Sequence, residues 1–287
     1  MTKASPSDYK SIFPPTQYVI LGSITWAILA ILYYLFLGLP TEQSGEELVR
    51  PYWYRIGIYV FQTIPIALTG FLCLRNFRSS KIIGNRIVWL GIGVGVISWG
   101  IGNLIFAYIE LIAKQNPFPS LADAFFVVTY IFLSLGMLMS LIGRRINLRL
   151  WQWLIVAVVA IVGIAVAGFV TFIAGKDGQP VELNLGTYLY IVYALGDILL
   201  LVVAAILFQA FRGGKYASSW QLLGMGGGSM YIADLGFNYL NNIASEAKPY
   251  QSGELIELFW IFAFLFFGMA AAVELDISLR AASARRK

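Results

Sequence analysis

The sequence from residue 184 to residue 211 reads NLGTYLYIVYALGDILLLVVAAILFQAF, with Asp197 as its one charged residue. A helix of about 20 apolar residues spans the hydrocarbon core of a bilayer, so this stretch predicts a transmembrane helix. The whole chain agrees: its 287 residues are 59% hydrophobic and 12% charged, and the mean hydropathy is +0.75. Soluble domains are about 45–50% apolar and about a quarter charged. The composition therefore predicts a multi-span membrane protein.

Seven further segments of similar length and composition predict an all-α, polytopic membrane helix bundle with eight transmembrane helices. The predicted spans are 18–39, 54–74, 87–112, 120–142, 151–174, 184–211, 219–243 and 254–274. We interpret residues 1–287 as a single integral membrane domain. It would include a cytoplasmic leader (1–17) and a short basic cytoplasmic tail (275–287) that extends the helix of span 8.

The distribution of basic residues predicts the orientation of the spans. The two termini and the loops after spans 2, 4 and 6 hold 15 of the 20 lysines and arginines, and the other side holds five. Basic residues concentrate in short cytoplasmic loops. Both termini are therefore predicted to lie in the cytoplasm.

An offset of 131 residues superposes spans 1–4 on spans 5–8 without a gap. Under this offset Tyr59 falls on Tyr190, and Asn103 falls on Asp234. Because each half has an even number of spans, both halves enter from the same side. The sequence thus predicts two parallel four-helix repeats, at about 18–142 and 151–274, related by an axis along the membrane normal.

Polar side chains within the predicted spans are candidate binding residues. Asp197 lies near the middle of span 6, on the same helix face as Tyr193. Asp234 belongs to a polar stripe on span 7 that also contains Tyr231 and Asn238. A charged group at mid-bilayer costs roughly 2.5–3.5 kcal/mol. Since we expect no lysine or arginine within a span to pair with it, Asp197 is expected to hold a proton and to donate a hydrogen bond.

These groups gather toward the outer half of the bundle, which predicts an outward-facing polar cavity for a small ligand, a cation or a proton. The ligand- or ion-binding candidates are Asp197, Asp234, Asn103, Asn238, Tyr193, Tyr231, Asp123, Glu254 and Glu257.

Structural roles compete with binding at several of these positions. Ser120 and Asp123 have the spacing of a helix capping box at the start of span 4, and Ser252 with Glu254 is a looser version at span 8. Capping cannot account for Asp197 or Asp234, which lie within helices. For those two, a structural hydrogen bond between helices is the alternative.

Several chemistries are excluded or disfavoured. The chain has no histidine and one cysteine, Cys73, so histidine-ligated metals, Ser-His-Asp triads and disulfides are absent. The glycines of spans 3 and 7, such as Gly91 and Gly226, lie within predicted helices and indicate close helix packing rather than a phosphate-binding loop. The residues beside Asp197 and Asp234 fit intramembrane aspartyl proteases poorly. We predict no catalytic residues, no metal site and no nucleic acid partner; the sequence identifies no cofactor, and the protein is not expected to be an enzyme.

Three stretches carry a resemblance to a known family: PFPSLADAFFVVTYIFLSLGMLM (117–139), YALGDILLL (193–201), and IADLGFNYL (232–240) with GELIELFW (253–260). They resemble the eight-span N-terminal membrane module of bacterial diguanylate cyclase, phosphodiesterase and histidine-kinase signalling proteins. The matching positions are Pro119, Ser120, Ala122, Asp123, Tyr130, Gly196, Asp197 and Asp234. The resemblance implies a sensory input module, here without an output domain, since no GGDEF, EAL or kinase signature occurs in the chain.

The leading functional hypothesis is a non-enzymatic, sensor-like ligand-binding module that acts through a cytoplasmic or membrane protein partner. A transporter of a small solute, a cation or protons is the first alternative, and a scaffold or assembly factor for a membrane complex is the second. The expected location is the bacterial plasma membrane or another internal membrane.

Overall fold

The computed structural model describes residues 15–39, 42–44, 47–142, 147–173, 183–211, 217–243 and 250–284. Eight long helices account for most of these residues. Their bounds are α1 Thr16–Leu37, α2 Tyr52–Arg78, α3 Arg86–Ala107, α4 Leu121–Leu141, α5 Leu150–Phe172, α6 Leu185–Ala210, α7 Ala217–Ile243 and α8 Leu258–Ala284. Each coincides with one predicted span. The predicted leader lies outside the described residues apart from its last few, and most of the predicted tail belongs to α8.

Seven of these helices are long and apolar enough to cross a membrane, which confirms a multi-pass helical membrane protein. Among the described helices α7 is the exception, although it is 27 residues long. Its sequence carries four glycines between residues 224 and 228, and further along it carries Asp234, Asn238, Asn241 and Asn242. These residues lower its hydropathy. A span of this composition suits the interior of a bundle, where neighbouring helices satisfy its polar groups.

Short irregular elements extend the helical design. An antiparallel hairpin joins α1 to α2, with β1 at Glu42–Ser44 and β2 at Glu47–Val49. It was not predicted, because two three-residue strands leave no periodic signal. The end of α3 continues as a π-helical turn, Tyr108–Ala113, and a 3₁₀ turn, Leu255–Glu257, leads into α8. Both turns lie at the same end of the bundle as the hairpin.

Hydrogen bonds between chain segments define the two ends of the bundle. At one end Thr16 Oγ1 donates to the carbonyl of Ala272 (3.1 Å), and Asn76 Nδ2 donates to that of Ala271 (2.7 Å). At the other end Arg50 Nη1 donates to the carbonyl of Gln251 (3.0 Å). The first end therefore holds the start of α1 and the α2–α3 connection, and the second holds the α1–α2 and α7–α8 connections.

Lipid contact is indicated by the outer surface. Leucine, isoleucine, valine and phenylalanine side chains are exposed along α1 and α5, whereas α8 is largely enclosed by α1, α2 and α7. An apolar surface of this extent is unfavourable in water and suits a bilayer. The principal core contains Trp89, Trp220 and Phe267, in the half of the bundle nearer the first end.

Glycines bring α3 and α4 into close contact, as the sequence indicates. A Cβ atom on Gly91 would lie 2.8 Å from the Cα of Gly136, and one on Gly136 would lie 2.8 Å from the backbone nitrogen of Ile92. The backbones therefore touch at this crossing. Small residues allow this approach in membrane bundles, where dispersion contacts replace the hydrophobic effect between helices.

Candidate functional site

A cavity opens in the half of the bundle nearer the α3–α4 and α7–α8 connections. Its empty volume is about 770 Å³, counting the part at its open mouth. It lies between α2, α3, α4, α6, α7 and α8. The lining contains eleven aromatic residues, Tyr59, Trp99, Phe106, Phe118, Phe126, Tyr130, Tyr190, Tyr193, Phe237, Tyr250 and Trp260. It also contains four carboxyl groups, Asp123, Asp197, Asp234 and Glu257, together with Gln62, Asn103, Asn238, Ala194, Leu235 and Ser252.

Two carboxyl groups meet at the deepest part of this cavity. Asp197 on α6 lies beside Asp234 on α7 and the Tyr130 hydroxyl of α4, close enough to hydrogen-bond with each. Asp234 accepts hydrogen bonds from the Tyr130 hydroxyl and from Trp260 Nε1, the latter at 2.9 Å. Asp197 is 2% exposed, and its Oδ1 has no hydrogen-bond partner in the described part of the chain. The pair therefore contains one well-satisfied carboxyl group and one with an open acceptor.

Asp123 both caps its helix and contacts α6. Its Oδ2 accepts from the backbone nitrogen of Ser120 (2.6 Å), and Ser120 Oγ accepts from the nitrogen of Ala122 (3.2 Å), which confirms the predicted capping box. Its Oδ1 accepts from the Tyr193 hydroxyl at 2.6 Å. The capping role leaves one carboxylate oxygen for the cavity wall.

Glu257, rather than Glu254, is the acid that caps the start of α8. Its Oε1 accepts from the backbone nitrogens of Gly253 (2.6 Å) and Glu254 (3.2 Å) and from the Tyr250 hydroxyl (2.5 Å). Its Oε2 accepts from Gln62 Nε2 of α2 at 3.3 Å. The predicted cap at Ser252 and Glu254 is wrong, because the chain makes a 3₁₀ turn here and moves the acceptor one turn later.

Tyr250 lies in the connection before α8 and keeps its proton. Burial, together with the Glu257 carboxylate, raises the pKa of this hydroxyl well above its ordinary value. A phenol that resists ionisation remains a hydrogen-bond donor. Tyr250 thus fixes the Glu257 carboxylate at the side of the cavity.

Arginines and acids pair at the rim, contrary to the expectation that no cation would lie within a span. Arg55, in the first turn of α2, lies 3.8 Å from Glu110 in the π-helical turn, and Glu110 also accepts from Ser252 Oγ (2.8 Å) and the Tyr59 hydroxyl. Arg50 forms an ion pair with Glu254 at 2.9 Å. In the described part of the chain, no lysine or arginine lines the cavity itself.

Seven of the nine predicted binding residues therefore line one cavity. They are Asp197, Asp234, Asn103, Asn238, Tyr193, Asp123 and Glu257. Tyr231 lies outside it and donates to the Gly163 carbonyl of α5 at 2.8 Å, while Glu254 remains at the rim with Arg50. Asn238 combines both situations, since it lines the cavity and donates to Thr171 of α5 at 3.0 Å.

Other lining residues were not among the predicted candidates. Trp260, Gln62 and Tyr250 donate hydrogen bonds to the acids of the cavity. One sequence signal was present for Trp260, which follows Glu257 by three residues and so shares its helix face. Gln62 and Tyr250 have no comparable signal, because their partners lie on other segments.

Packed apolar side chains close the inner end of the cavity. Leu200 follows Asp197 by one turn, Met230 precedes Asp234 by one turn, and both are completely buried. Met137, also completely buried, packs against Gly227, where a Cβ atom would lie 3.2 Å from the methionine methyl carbon. The cavity is therefore a pocket that opens at one end of the bundle rather than a passage through it.

The donor set of the cavity suits hydrogen bonding and aromatic contact. In the described residues no three histidine, cysteine, aspartate or glutamate side chains come together as a group that could hold a metal ion. The four carboxyl groups are instead distributed among separate hydrogen-bond networks.

Comparison of the chain with protein families, with curated protein sequences and with solved structures found no match.

Proposed function

We propose that the chain is a non-enzymatic, sensor-like ligand-binding module of a membrane, which acts through a protein partner. The observation that carries this proposal is the blind pocket with Asp197 and Asp234 at its base. Buried carboxyl groups within a membrane bundle are costly and mark sites of function. A pocket closed by packed side chains suits recognition of a ligand from one side of the membrane.

The pocket opens away from the cytoplasm in this proposal. The connections around its mouth belong to the side with five basic residues, and the opposite side has 15. The positive-inside rule then assigns both termini to the cytoplasm of a bacterial plasma membrane. The basic α2–α3 connection and the end of α8 would face the partner.

A parallel repeat is supported by two equivalent hydrogen bonds. Tyr193 of α6 donates to Asp123 at the start of α4, and Gln62 of α2 donates to Glu257 at the start of α8. Gln62 and Tyr193 are 131 residues apart, the offset that relates the two halves of the sequence. Each half therefore contributes a second helix that contacts the acid opening the fourth helix of the other half. We propose two interlocked halves on this basis.

The base of the pocket connects these halves, which suggests how occupancy could be read. Tyr130 belongs to the first half, whereas Asp197, Asp234 and Trp260 belong to the second. A ligand that engages Asp197 alters the hydrogen bonds of this group and hence the packing of α4 against α6 and α7. The resemblance to bacterial sensory membrane modules supports the same role.

A transporter is the second candidate, favoured by the adjacent carboxyl groups of Asp197 and Asp234. Such pairs serve as proton relays in pumps and transporters. The packed layer of Leu200, Met137 and Met230 opposes this candidate, since transport would require that layer to open.

Two measurements on the purified chain test the proposal. In liposomes with entrapped pyranine and an imposed pH gradient, we expect no proton flux above that of protein-free liposomes. A flux that Asp197→Asn abolishes would establish the transporter instead.

The second measurement concerns coupling between the pocket and the opposite end. We expect Asp197→Asn to change hydrogen–deuterium exchange in residues 79–85, which lie at that end. Lys114→Asn removes one charge at the mouth end outside the pocket, and it should leave this exchange unchanged. Identical exchange in the wild type and Asp197→Asn would contradict a sensor.

A further inference from the structure

The charge balance of the pocket is strongly one-sided. Four carboxyl groups line it, and no lysine or arginine in the described part of the chain does so. The nearest arginines, Arg50 and Arg55, pair with Glu254 and Glu110 at the rim. An anionic ligand would meet only like charge at the base.

The carboxyl groups differ in how far their hydrogen-bonding capacity is used. Asp123 and Glu257 each accept from backbone nitrogens and side-chain donors, and Asp234 accepts from Tyr130 and Trp260. Asp197 is the exception: Oδ1 is buried, belongs to the lining and has no hydrogen-bond partner in the described residues. A buried acceptor without a donor is unfavourable, so this atom points to a ligand that supplies an N–H or O–H group.

A positive charge on the ligand would compensate the adjacent acids. Asp197 and Asp234 lie side by side in an apolar interior, where two uncompensated negative charges repel strongly. A cation placed at Asp197 Oδ1 would offset that repulsion. The pocket therefore favours a positively charged donor over a neutral one.

The walls define what kind of cation fits. Trp99 packs against Trp260 with ring centroids 5.8 Å apart, and Tyr130 against Tyr193 at 5.6 Å. Phe126 lies 4.6 Å from Trp99. Aromatic faces attract ammonium groups and accept hydrocarbon, whereas a divalent metal ion requires several oxygen ligands at one point. The described acids do not form such a cluster.

We propose that this pocket binds an organic ammonium ion, whose N–H group donates to Asp197 Oδ1 while its hydrocarbon body lies among the aromatic walls. The inference rests on the proposed ligand-binding function and names the ligand class. The site comprises Asp197 as the charge partner, Asp234 as its neighbour, and Trp99, Phe126, Tyr193 and Trp260 as the walls.

The test is calorimetric titration of the full chain in lipid nanodiscs with four probes of one body and different head groups. Benzylamine carries an N–H cation, benzyltrimethylammonium a cation without N–H, benzyl alcohol a neutral donor and benzoate an anion. We expect benzylamine to bind at least about tenfold more tightly than the alcohol or benzoate, with benzyltrimethylammonium in between.

Variants assign the effect to this site. Asp197→Asn should weaken benzylamine by about tenfold or more and leave benzyl alcohol unchanged. Phe126→Leu keeps an apolar wall but removes a ring, and it should weaken both cations more than the alcohol. Asp276→Asn removes a carboxylate that pairs with Arg280 outside the pocket, and its binding should match the wild type.

The outcomes separate this inference from the function on which it rests. If the alcohol or benzoate binds as tightly as benzylamine and Asp197→Asn weakens it, the pocket binds ligands but not ammonium ions preferentially. If no probe binds at millimolar concentration, the ammonium assignment is wrong, while the exchange experiment still decides whether the pocket is coupled to the opposite end.

Discussion

Tyr130 on α4 donates its hydroxyl hydrogen bond to Asp234 on α7, and both side chains are buried at the base of one pocket. The bond joins the first four helices to the last four. Because Trp260 donates to the same carboxyl group, Asp234 is held from two sides. Neighbouring Asp197 lacks such support at Oδ1. The two aspartates therefore have different roles, although both are acids in adjacent helices.

Alanine substitutions should separate these roles by stability. Asp234→Ala leaves the buried donors of Tyr130 and Trp260 without their acceptor, which costs about 1–3 kcal/mol for each unsatisfied group. Asp197→Ala removes a carboxyl group with an open acceptor and should be neutral or stabilising. Thermal unfolding of the purified variants measures the difference. Equal destabilisation by the two substitutions would contradict the division of roles.

The two glutamates at the start of α8 provide a matched comparison. Glu257 is 2% exposed and accepts from Gly253, Glu254, Tyr250 and Gln62, so Glu257→Gln should cost about 1–3 kcal/mol. Glu254→Gln breaks only the partly exposed pair with Arg50, which should cost about 0–1 kcal/mol.

Thermal unfolding gives the order of the two glutamate variants, and hydrogen exchange in residues 250–257 should rise for Glu257→Gln. A larger loss in Glu254→Gln would mean that the ion pair, and not the cap, fixes this connection.

Single cysteines test the proposed orientation. Lys114 and Ser283 are exposed at opposite ends of the bundle, and native Cys73 is buried. In intact cells an impermeant maleimide should label Lys114→Cys, and it should label Ser283→Cys only after permeabilisation. The parent chain serves as the unlabelled control. The reverse pattern would invert the topology and direct the pocket toward the cytoplasm.

Helix positions were predictable because each span needs a long apolar run, and such runs are visible in one sequence. The far end of α8 was less evident, since Glu274 and Asp276 interrupt the hydropathy. In the structure Glu274 is buried and accepts from Ser219 Oγ of α7 at 2.8 Å, while Asp276 pairs with Arg280. Partners on another helix made a continuous helix possible where composition alone suggested its end.

The site was predictable to the extent that it depends on periodicity within one helix. Asp197 and Tyr193 share a face of α6 because of their spacing, and both line the pocket. Which helices adjoin is not encoded in that spacing. Thus Tyr231, on the polar stripe of α7, faces the Gly163 carbonyl of α5, and Gln62 reaches Glu257 from α2. These pairings depend on the packing of distant segments.

Glycine substitutions test whether the close α3–α4 crossing supports the bundle beneath the pocket. In Gly91→Ala the added methyl carbon would lie 2.8 Å from the Cα of Gly136, so the two backbones must separate. Such overpacking typically costs about 1–3 kcal/mol. Gly228→Ala in α7 has no neighbouring atom within 4 Å of the new carbon, and the gain in helix propensity should stabilise it by about 0.5–1 kcal/mol. Opposite shifts in thermal unfolding are therefore expected, and a destabilised Gly228→Ala would show that glycines on α7 serve something other than helix contact.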